Sequence, residues 1–370
     1  MEQEDIEIAA KVAAECARSP KGFFRLPEEA NFQKLFAEHE GAPYASAVNS
    51  AGTGLDIALW ALNVGPGDEV ITSPLTFVCS ATCAMLRGAT VVFADIDPVT
   101  YNLDPASVES KITPKTKVVI PIHFGGIPCD IDAYDVLAEK YGIKIVYDAA
   151  HATGSKYKGC PIGAFGDMTV YSFQTNKNMT TLGEGGAITT ANPDHNDAVE
   201  RIKSFGFVYG ASDDVVRTGS NYRLTKVQSA AGILQLNKVD RNNEMRNHGV
   251  NLLSELLAET PEIICPTIPE NCYSACHLNT FLIDDENSGI DANEFFAMLQ
   301  KEYTVGIAFH YKPVYAWKLF HDAGYGPEDT PVADRVCRQL FQFPVFAHMS
   351  DDDYRYIAWA ANESVKALKK

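Results

Sequence analysis

The chain has 370 residues, of which 46% are hydrophobic and 21% are charged. This length allows one large domain and a smaller one, with enough apolar residues for a sizeable core. The formal net charge of −17 argues against nucleic acid or an anionic membrane surface as the main partner. No apolar run approaches the length of a membrane span, and the acidic N-terminus does not resemble a secretory signal. We therefore expect a soluble, cytoplasmic protein.

The first half of the chain alternates between strand-like and helix-like segments. The helix-like segments TGLDIALWALNV, TFVCSATCAMLRG and DIDAYDVLAEKYG have apolar residues at helical spacing. Strands are predicted over YASAV, EVITS (69–73), TVVFAD (90–95), KVVIPI (117–122), KIVYDA (144–149), MTVYSF (168–173) and AITT (187–190). This β-α-β alternation predicts an α/β fold with a mostly parallel central sheet and helices on both faces.

The second half of the chain has a different pattern. From about residue 195 it is mainly helical, with a long helical stretch near 224–258. A strand-like HLNTFLI follows, and helices are predicted near 292–301 and 350–368. We predict a large domain over residues 1–245, including an N-terminal helical arm, and a smaller C-terminal α+β domain over 246–370.

The nine cysteines are irregularly spaced and odd in number, which favours reduced thiols. Cys79 and Cys83 are four residues apart, and so are Cys272 and Cys276, which His277 follows. Neither pair has the CxxC spacing typical of a zinc site. Zinc is therefore the less favoured interpretation, and we predict no metal site.

A turn of small residues, NSAGTG, follows the first predicted strand and opens into a helix. Free backbone N–H groups at a helix N-terminus suit a phosphate, and this would be the role of Gly52 and Thr53. Thr53 could also serve as the N-cap and offer its hydroxyl. The alternative is an ordinary capped turn. The turn is not a Walker loop, because no GK[ST] follows, and it lacks the GxGxxG spacing of a dinucleotide site.

Two candidate functional side chains follow the strand KIVYDA. Asp148 ends an apolar run, where a carboxylate needs a cationic or protonated partner such as a ring nitrogen. A helix-capping role remains the alternative for Asp148. His151 comes three residues later, and taken alone it is more typical of a structural histidine than of a functional one.

Lys177 lies on a loop between two buried strands, followed by the glycine cluster of GEGG. An isolated loop lysine is usually a solvated surface residue. Here, however, parallel strands should bring it to the same sheet edge as the small-residue turn, Asp148, Phe77 and Ser172. A phosphate cradle, a carboxylate, a flat aromatic and a lysine together indicate a pyridoxal 5′-phosphate (PLP) site.

The motifs that carry a family resemblance cover nearly the whole chain. They are NSAGTGLDIALWAL, GPGDEVITSPLTFVCSA, GATVVFADIDPVTYNLDP, ITPKTKVVIPIHFGG, VYDAAHATGSKYKG, SFQTNKNMTTLGEGGAITT, GSNYRLTKVQSAAG and HYKPVY. In this order they resemble the DegT/DnrJ/StrS family of PLP-dependent sugar aminotransferases, which have the fold-type-I architecture. The resemblance implies an aminotransferase that uses PLP and its amino form PMP.

The resemblance also implies roles for individual residues. Lys177 would form the Schiff base and move the substrate proton, Asp148 would pair with the pyridinium nitrogen, and Phe77 would stack on the ring. His151 would lie beside the ring and its 3-oxygen. The phosphate would be held by Gly52, Thr53, Ser172 and, from a second subunit, Asn221. Substrate would approach His310 and Tyr311. A homodimer with shared active sites is therefore implied.

Two departures from the family pattern bear on the substrate. Ala51 replaces the serine of the commoner SGT turn, and Leu182 lengthens the loop between Lys177 and GEGG. Lysine at position 177, where the dehydratases of the family have histidine, favours transamination. We considered four cations for a nucleotide diphosphate, each with a surface role as the alternative: Arg217, Arg223, Lys226 and Lys312.

The expected reaction is transfer of an amino group from glutamate or glutamine to a ketosugar, with a nucleotide-linked keto-deoxy sugar favoured. Two other functional classes stay open at the level of the residues. One is another PLP reaction of this family on a non-nucleotide ketone, such as a cyclitol (inosose) aminotransferase or an aromatising enzyme. The other is a catalytically idle partner subunit, which the presence of both Lys177 and Asp148 disfavours.

Overall fold

The computed structural model describes residues 2–18, 27–207, 214–327 and 330–369. Its centre is a seven-stranded sheet with the strand order β1-β9-β8-β5-β4-β2-β3. The strands are β1 (Tyr44–Val48), β2 (Glu69–Thr72), β3 (Thr90–Phe93), β4 (Thr116–Ile120), β5 (Lys144–Asp148), β8 (Met168–Ser172) and β9 (Gly186–Thr190). Every strand predicted from the sequence in this half is present, with ends that differ by one or two residues.

The sheet is mostly parallel, as predicted. The neighbours β3, β2, β4, β5 and β8 run in the same direction, whereas β9 is antiparallel to both β8 and β1. The carboxyl ends of β1, β2, β5 and β8 therefore meet at one edge of the sheet. The loops that follow these four strands are the ones in which the sequence places its candidate site residues.

Helices cover both faces of this sheet. The alternation of side chains along β8 divides the core, because Val170 packs in one hydrophobic cluster and Tyr171 in the other. The helices of this part are α1 (Gln3–Arg18), α2 (Pro27–His39), α3 (Ala51–Ala61), α4 (Cys79–Leu86), α5 (Pro105–Lys111), α6 (Ile131–Tyr141), α7 (Pro193–Ile202) and α8 (Lys226–Leu256).

A smaller α+β layer follows α8. Its antiparallel sheet has the order β10 (Ile263–Ile264), β12 (Thr280–Ile283) and β13 (Leu340–Gln342). The short strands β6 (Lys156–Tyr157), β7 (Cys160–Pro161) and β11 (Cys272–Tyr273) form a third sheet. The remaining helices are α9 (Asp285–Ser288), α10 (Ala292–Lys301), α11 (Lys318–Asp322), α12 (Pro331–Gln339) and α13 (Asp351–Leu368).

Helix α8 joins the two parts without interruption. Leu236 and Val239 of α8 pack in the core beneath the large sheet, whereas Val250 and Leu253 pack in the core of the smaller part. The predicted boundary between residues 245 and 246 falls within this helix, and the division into two domains stays a prediction. Over the described ranges, no helix is long and apolar enough to cross a membrane.

Candidate active site

A cleft of about 1450 Å³ opens at the carboxyl edge of the large sheet. It collects most of the side chains that the sequence predicts for the site. Those that line it are Gly52, Phe77, Asp148, His151, Ser172, Lys177, His310 and Tyr311. Thr53 and Asn221 do not line it. The eight residues come from five segments far apart in the chain, so the fold brings them together.

The N-cap residue of α3 differs from the prediction. Ser50 is the N-cap of α3, and its hydroxyl accepts a hydrogen bond from the Thr53 N–H at 3.2 Å. The Thr53 hydroxyl donates to Oδ1 of Asn49 at 2.6 Å. Thr53 as the N-cap is therefore wrong, because Ser50 has the extended backbone that a cap requires (φ −168°, ψ 162°).

Packing does not require glycine at position 52. A Cβ built on Gly52 would lie 3.6 Å from Cβ of Cys79, which is an ordinary contact. Gly186 at the start of β9 differs, since a Cβ there would lie 2.6 Å from the Tyr171 carbonyl oxygen and 2.8 Å from the Ser50 carbonyl carbon. The last glycine of GEGG thus lets β9 approach the turn before α3, whereas the space beside Gly52 belongs to the cleft.

Asp148 ends β5 and is buried. Its Oδ2 accepts a hydrogen bond from the Ser80 hydroxyl at 2.7 Å, and its Oδ1 accepts one from the Ala150 N–H at 3.0 Å. Burial raises the pKa of Asp148 above its usual value, although these two donors and the nearby Lys177 partly oppose that rise. The carboxylate thus lies at the cleft with little charge compensation from the protein.

Lys177 lies on the loop between β8 and β9, whose backbone is held by hydrogen bonds from Lys177 N to Gln174 O (2.9 Å) and from Thr175 N to Gly183 O (3.0 Å). Desolvation lowers the pKa of Lys177 to about 8, against the attraction of Asp148 and the Cys79 thiol. A substantial fraction of its amine is therefore neutral near physiological pH, as a nucleophile requires. The extra loop residue, Leu182, adopts a left-handed φ of 64°.

Three rings stack on one wall of the cleft. The ring of His151 lies 4.8 Å from that of His277 and 5.9 Å from that of Tyr311, and its Nε2 is 2.9 Å from the Tyr311 hydroxyl. Burial lowers the pKa of His151 well below its usual value, so the ring is neutral. Nδ1 of His151 is buried without a hydrogen-bond partner among the described residues.

His277 is a wall residue that the sequence analysis considered only as a possible metal ligand. Its Nδ1 lies 2.9 Å from Oδ1 of Asn178, the residue that follows Lys177. The two are 99 positions apart in the chain, so no local pattern connects them. Within the described ranges, no group of three His, Cys, Asp or Glu side chains is arranged to hold a metal ion.

His310 and Tyr311 approach the same cleft from the smaller part of the molecule. The backbone N–H of His310 donates to Oε1 of Gln342 at 3.0 Å, which fixes the segment. The ring of Phe77 is 57% exposed and lies 6.1 Å from the ring of Tyr311. An apolar ring exposed on a cleft wall is available to pack against a bound planar group.

The four cations considered for a diphosphate do not line this cleft. Arg217 donates to the Trp60 carbonyl, Arg223 packs on the ring of Phe205, Lys226 pairs with Glu28, and Lys312 lies over the ring of Trp317. The arginines that do line the cleft are Arg241 and Arg246 of α8. Asn221 is exposed, lies in a β-bridge with Ser204 and does not line the cleft of its own subunit.

Comparison with known proteins places the chain in a family. A sequence model of the DegT/DnrJ/EryC1/StrS aminotransferase family matches residues 4–361. The spore coat polysaccharide biosynthesis protein SpsC of Bacillus subtilis is 36% identical, over 92% of this chain and 90% of that protein. Among solved structures, DesV of S. venezuelae in complex with a ketimine intermediate superposes with a TM-score of 0.91 at 28% identity, covering 98% of this chain and 94% of DesV.

The sugar aminotransferase Spr1654 of Streptococcus pneumoniae, described as putative and solved in PLP and PMP forms, is also similar. It superposes with a TM-score of 0.91 at 26% identity, covering 100% of this chain and 98% of that one. These matches confirm the fold-type-I architecture, the PLP/PMP cofactor and the reaction class expected from the sequence. The chain belongs to the DegT/DnrJ/EryC1/StrS aminotransferase family and is a PLP-dependent aminotransferase.

Proposed function

We propose that this aminotransferase moves an amino group from glutamate or glutamine to a nucleotide-linked ketosugar, with Lys177 as the residue that carries the cofactor. The observation that supports this most directly is the convergence of Lys177, Asp148 and the turn at Gly52 on one cleft. The spore coat polysaccharide role in the name of the similar protein from Bacillus subtilis supports a sugar substrate.

The residues of the cleft fit the cofactor. The backbone N–H groups at the start of α3 and the hydroxyl of Ser172 are suited to its phosphate, and the space beside Gly52 admits one. Asp148 is a buried carboxylate suited to a ring N–H, and Phe77 offers an exposed ring face. His151 lies on the wall of the cleft, where its ring can pack beside that of the cofactor.

When bound, PLP acts as an electron sink for the carbon that gains or loses the amino group. The side chains of the protein move the proton and hold the cofactor in place. The neutral amine of Lys177 accepts and returns a proton at that carbon, and its lowered pKa of about 8 keeps it ready to do so. The negative charge of Asp148 would favour a protonated ring nitrogen on the bound cofactor.

The size of the cleft supports a large substrate. Its volume of about 1450 Å³ exceeds the 300–1000 Å³ range typical of small-molecule pockets. Arg246 lies on its wall, and so does Arg241, which pairs with Glu2. A screen of the PMP form against ketosugars with and without a nucleotide would test this part. Turnover that is restricted to free ketones or inososes would overturn the nucleotide-linked substrate.

The role of Lys177 has a direct chemical test. Borohydride reduction of the holoenzyme followed by peptide mapping should place the pyridoxyl group on Lys177. Lys177→Ala should lose turnover but still bind PLP noncovalently, because the phosphate and ring contacts remain. A pyridoxyl group found on a different lysine would overturn the assignment.

We further propose a homodimer in which Asn221 completes the phosphate site of the partner subunit. Its exposure and its absence from the lining of its own cleft support this role. Lys177→Ala subunits mixed with Asn221→Ala subunits would give heterodimers in which one site carries both changes and the other carries neither. Activity should recover toward half of the wild-type value per dimer. No recovery in confirmed heterodimers would mean that Asn221 acts within its own subunit.

A further inference from the structure

His277 lies on the cleft wall without a role in the chemistry described above. Its ring stacks on that of His151 at 4.8 Å, and its neighbour Asn178 directly follows Lys177 in the chain. It therefore lies within the catalytic region and not at the outer mouth. What its ring can offer depends on which of the two nitrogens carries the proton.

A chain of hydrogen bonds fixes that proton. The carbonyl of Thr153 can only accept, so the group of Asn243 that lies 2.9 Å from it is the amide N–H. Asn243 must then present its oxygen to Asn178, and it accepts a hydrogen bond from Nδ2 of Asn178 at 2.7 Å. Asn243 is fully buried, which leaves little freedom to reverse this orientation.

The same argument extends from Asn178 to His277. The second N–H of the Asn178 amide donates to the Ala275 carbonyl at 2.7 Å, so its oxygen faces Nδ1 of His277 at 2.9 Å. An amide oxygen only accepts, hence Nδ1 of His277 carries the proton. In a neutral ring, Nε2 of His277 then has a free lone pair.

The ring of His277 is kept neutral. Burial lowers the pKa of His277 well below its usual value, and the charges of Lys177 and, when protonated, His151 add to this effect. Nε2 of His277 has no hydrogen-bond partner in the described part of the chain, and it is not completely buried. Since His277 lines the cleft, this nitrogen is an acceptor open to a ligand.

We propose that His277 is a substrate-binding residue, whose Nε2 accepts a hydrogen bond from a hydroxyl of the sugar, and that Asn178 and Asn243 are its positioning residues. The proposal rests on the ketosugar function argued above. A hydroxyl suits this site, because a neutral imidazole nitrogen accepts from an O–H without the need for a charged partner, and sugars offer several such donors.

Two substitutions of His277 test the roles of its two ring nitrogens separately. The amide N–H of an asparagine occupies nearly the position of Nδ1, so His277→Asn keeps the bond to Asn178 but loses the acceptor in the cleft. The amide of a glutamine reaches the position of Nε2, so His277→Gln keeps the acceptor but loses the inner bond. His321→Asn, on the exposed helix α11, is the matched control for the substitution itself.

The affinity for the ketosugar should depend on whether the variant keeps the hydrogen-bond acceptor in the cleft. With dTDP-4-keto-6-deoxyglucose as the probe, His277→Asn should raise KM about tenfold, as expected for one lost hydrogen bond to a substrate hydroxyl. Its half-reaction with glutamate should change much less, because glutamate has no hydroxyl to donate to Nε2. His277→Gln should retain most of the ketosugar affinity. A damaged His277→Gln beside a normal His277→Asn would reveal a purely structural residue and overturn the proposal.

The remaining outcomes are also distinguishable. Equal losses in both half-reactions of His277→Asn would mean that Nε2 binds the amino donor, and the sugar assignment would be wrong. If the wild type converts no ketosugar at all, the proposed function is wrong, and the assignment of His277 is then wrong as well. Wild-type turnover with an unaffected His277→Asn would overturn the inference alone.

The tautomer can be measured without the cofactor. Nitrogen-15 NMR of the histidine rings in cofactor-free protein should show a protonated Nδ1 and an unprotonated Nε2 for His277, assigned by its loss in His277→Gln. Asn178→Ala should remove this preference, because the ring then loses the acceptor that fixes it. A protonated Nε2 in the wild type would overturn the proposal, since that nitrogen could not accept a hydrogen bond.

Discussion

Two buried carboxylates, Glu40 after α2 and Asp148 at the end of β5, differ in the groups that surround them and balance their charge. Glu40 is completely buried and accepts hydrogen bonds from the Tyr171 hydroxyl (2.8 Å), the Gly154 N–H (2.9 Å) and the ring of His39 (3.0 Å). Asp148 is also buried, but among the described residues its carboxylate accepts hydrogen bonds only from the Ser80 hydroxyl and the Ala150 N–H.

The difference lies in charge compensation. Burial alone would lower the pKa of His39, but Glu40 and Asp240 raise it to about 9, so Glu40 is paired with an imidazolium at neutral pH. Asp148 contacts no cation among the described residues, and burial raises its pKa. A structural carboxylate has its charge balanced within the fold, whereas a carboxylate left unbalanced at a cleft is prepared for a cationic group of a ligand.

The largest expected effect comes from Asp148→Asn. We expect turnover to fall by at least about 100-fold, because a neutral amide no longer holds the ring nitrogen of the cofactor protonated. The cofactor-free protein should be as stable as wild type or slightly more stable, since a buried and poorly compensated charge has been removed. Single-turnover kinetics and thermal unfolding measure the two effects. Near-normal turnover would return Asp148 to the role of a capping residue.

Glu40→Gln should give the reverse result. Removal of the charge leaves the half-buried imidazolium of His39 with Asp240 as its remaining acidic partner among the described residues. We expect the free energy of unfolding to fall by about 3 kcal/mol, while the turnover of the folded enzyme stays near wild type. Urea unfolding at fixed protein concentration measures the change. A stability equal to wild type would mean that the pair of Glu40 and His39 contributes nothing to the stability of the fold.

The contrast between these residues also marks what the sequence could predict. Lys177 and Asp148 could be found because Asp148 ends an apolar strand and Lys177 lies on the loop after another, and parallel strands bring their carboxyl ends to one edge. The strands themselves follow from short apolar runs between turn residues. These are local signals, and the structure bears out the elements predicted from them.

The rest of the site depends on distant contacts. Asn178 meets Asn243 and His277 across 65 and 99 positions, and side-chain types alone do not predict such pairs. At the start of α3, Ser50 and Thr53 are both acceptable N-cap residues, and only the backbone conformation decides between them. Glu40 gave no signal either, since a glutamate after an amphipathic helix is normally exposed.

The pH dependence of stability offers the smallest and most specific test of the comparison. The pKa of His39 is about 9 in the folded protein and about 6.5 in an unfolded chain. A group whose pKa is raised by folding stabilises the protein fully below its unfolded pKa. This contribution, on the order of 2 kcal/mol after allowance for partial exposure, should decline as the pH rises from about 6.5 to 9.

The difference in unfolding free energy between wild type and His39→Gln isolates the contribution of His39 from other titrating groups, including Lys177. We expect this difference to shrink with rising pH and to level off above pH 9. If the two stability curves run parallel from pH 6 to pH 10, His39 is not charged beside Glu40, and the balance of charge that separates Glu40 from Asp148 does not hold.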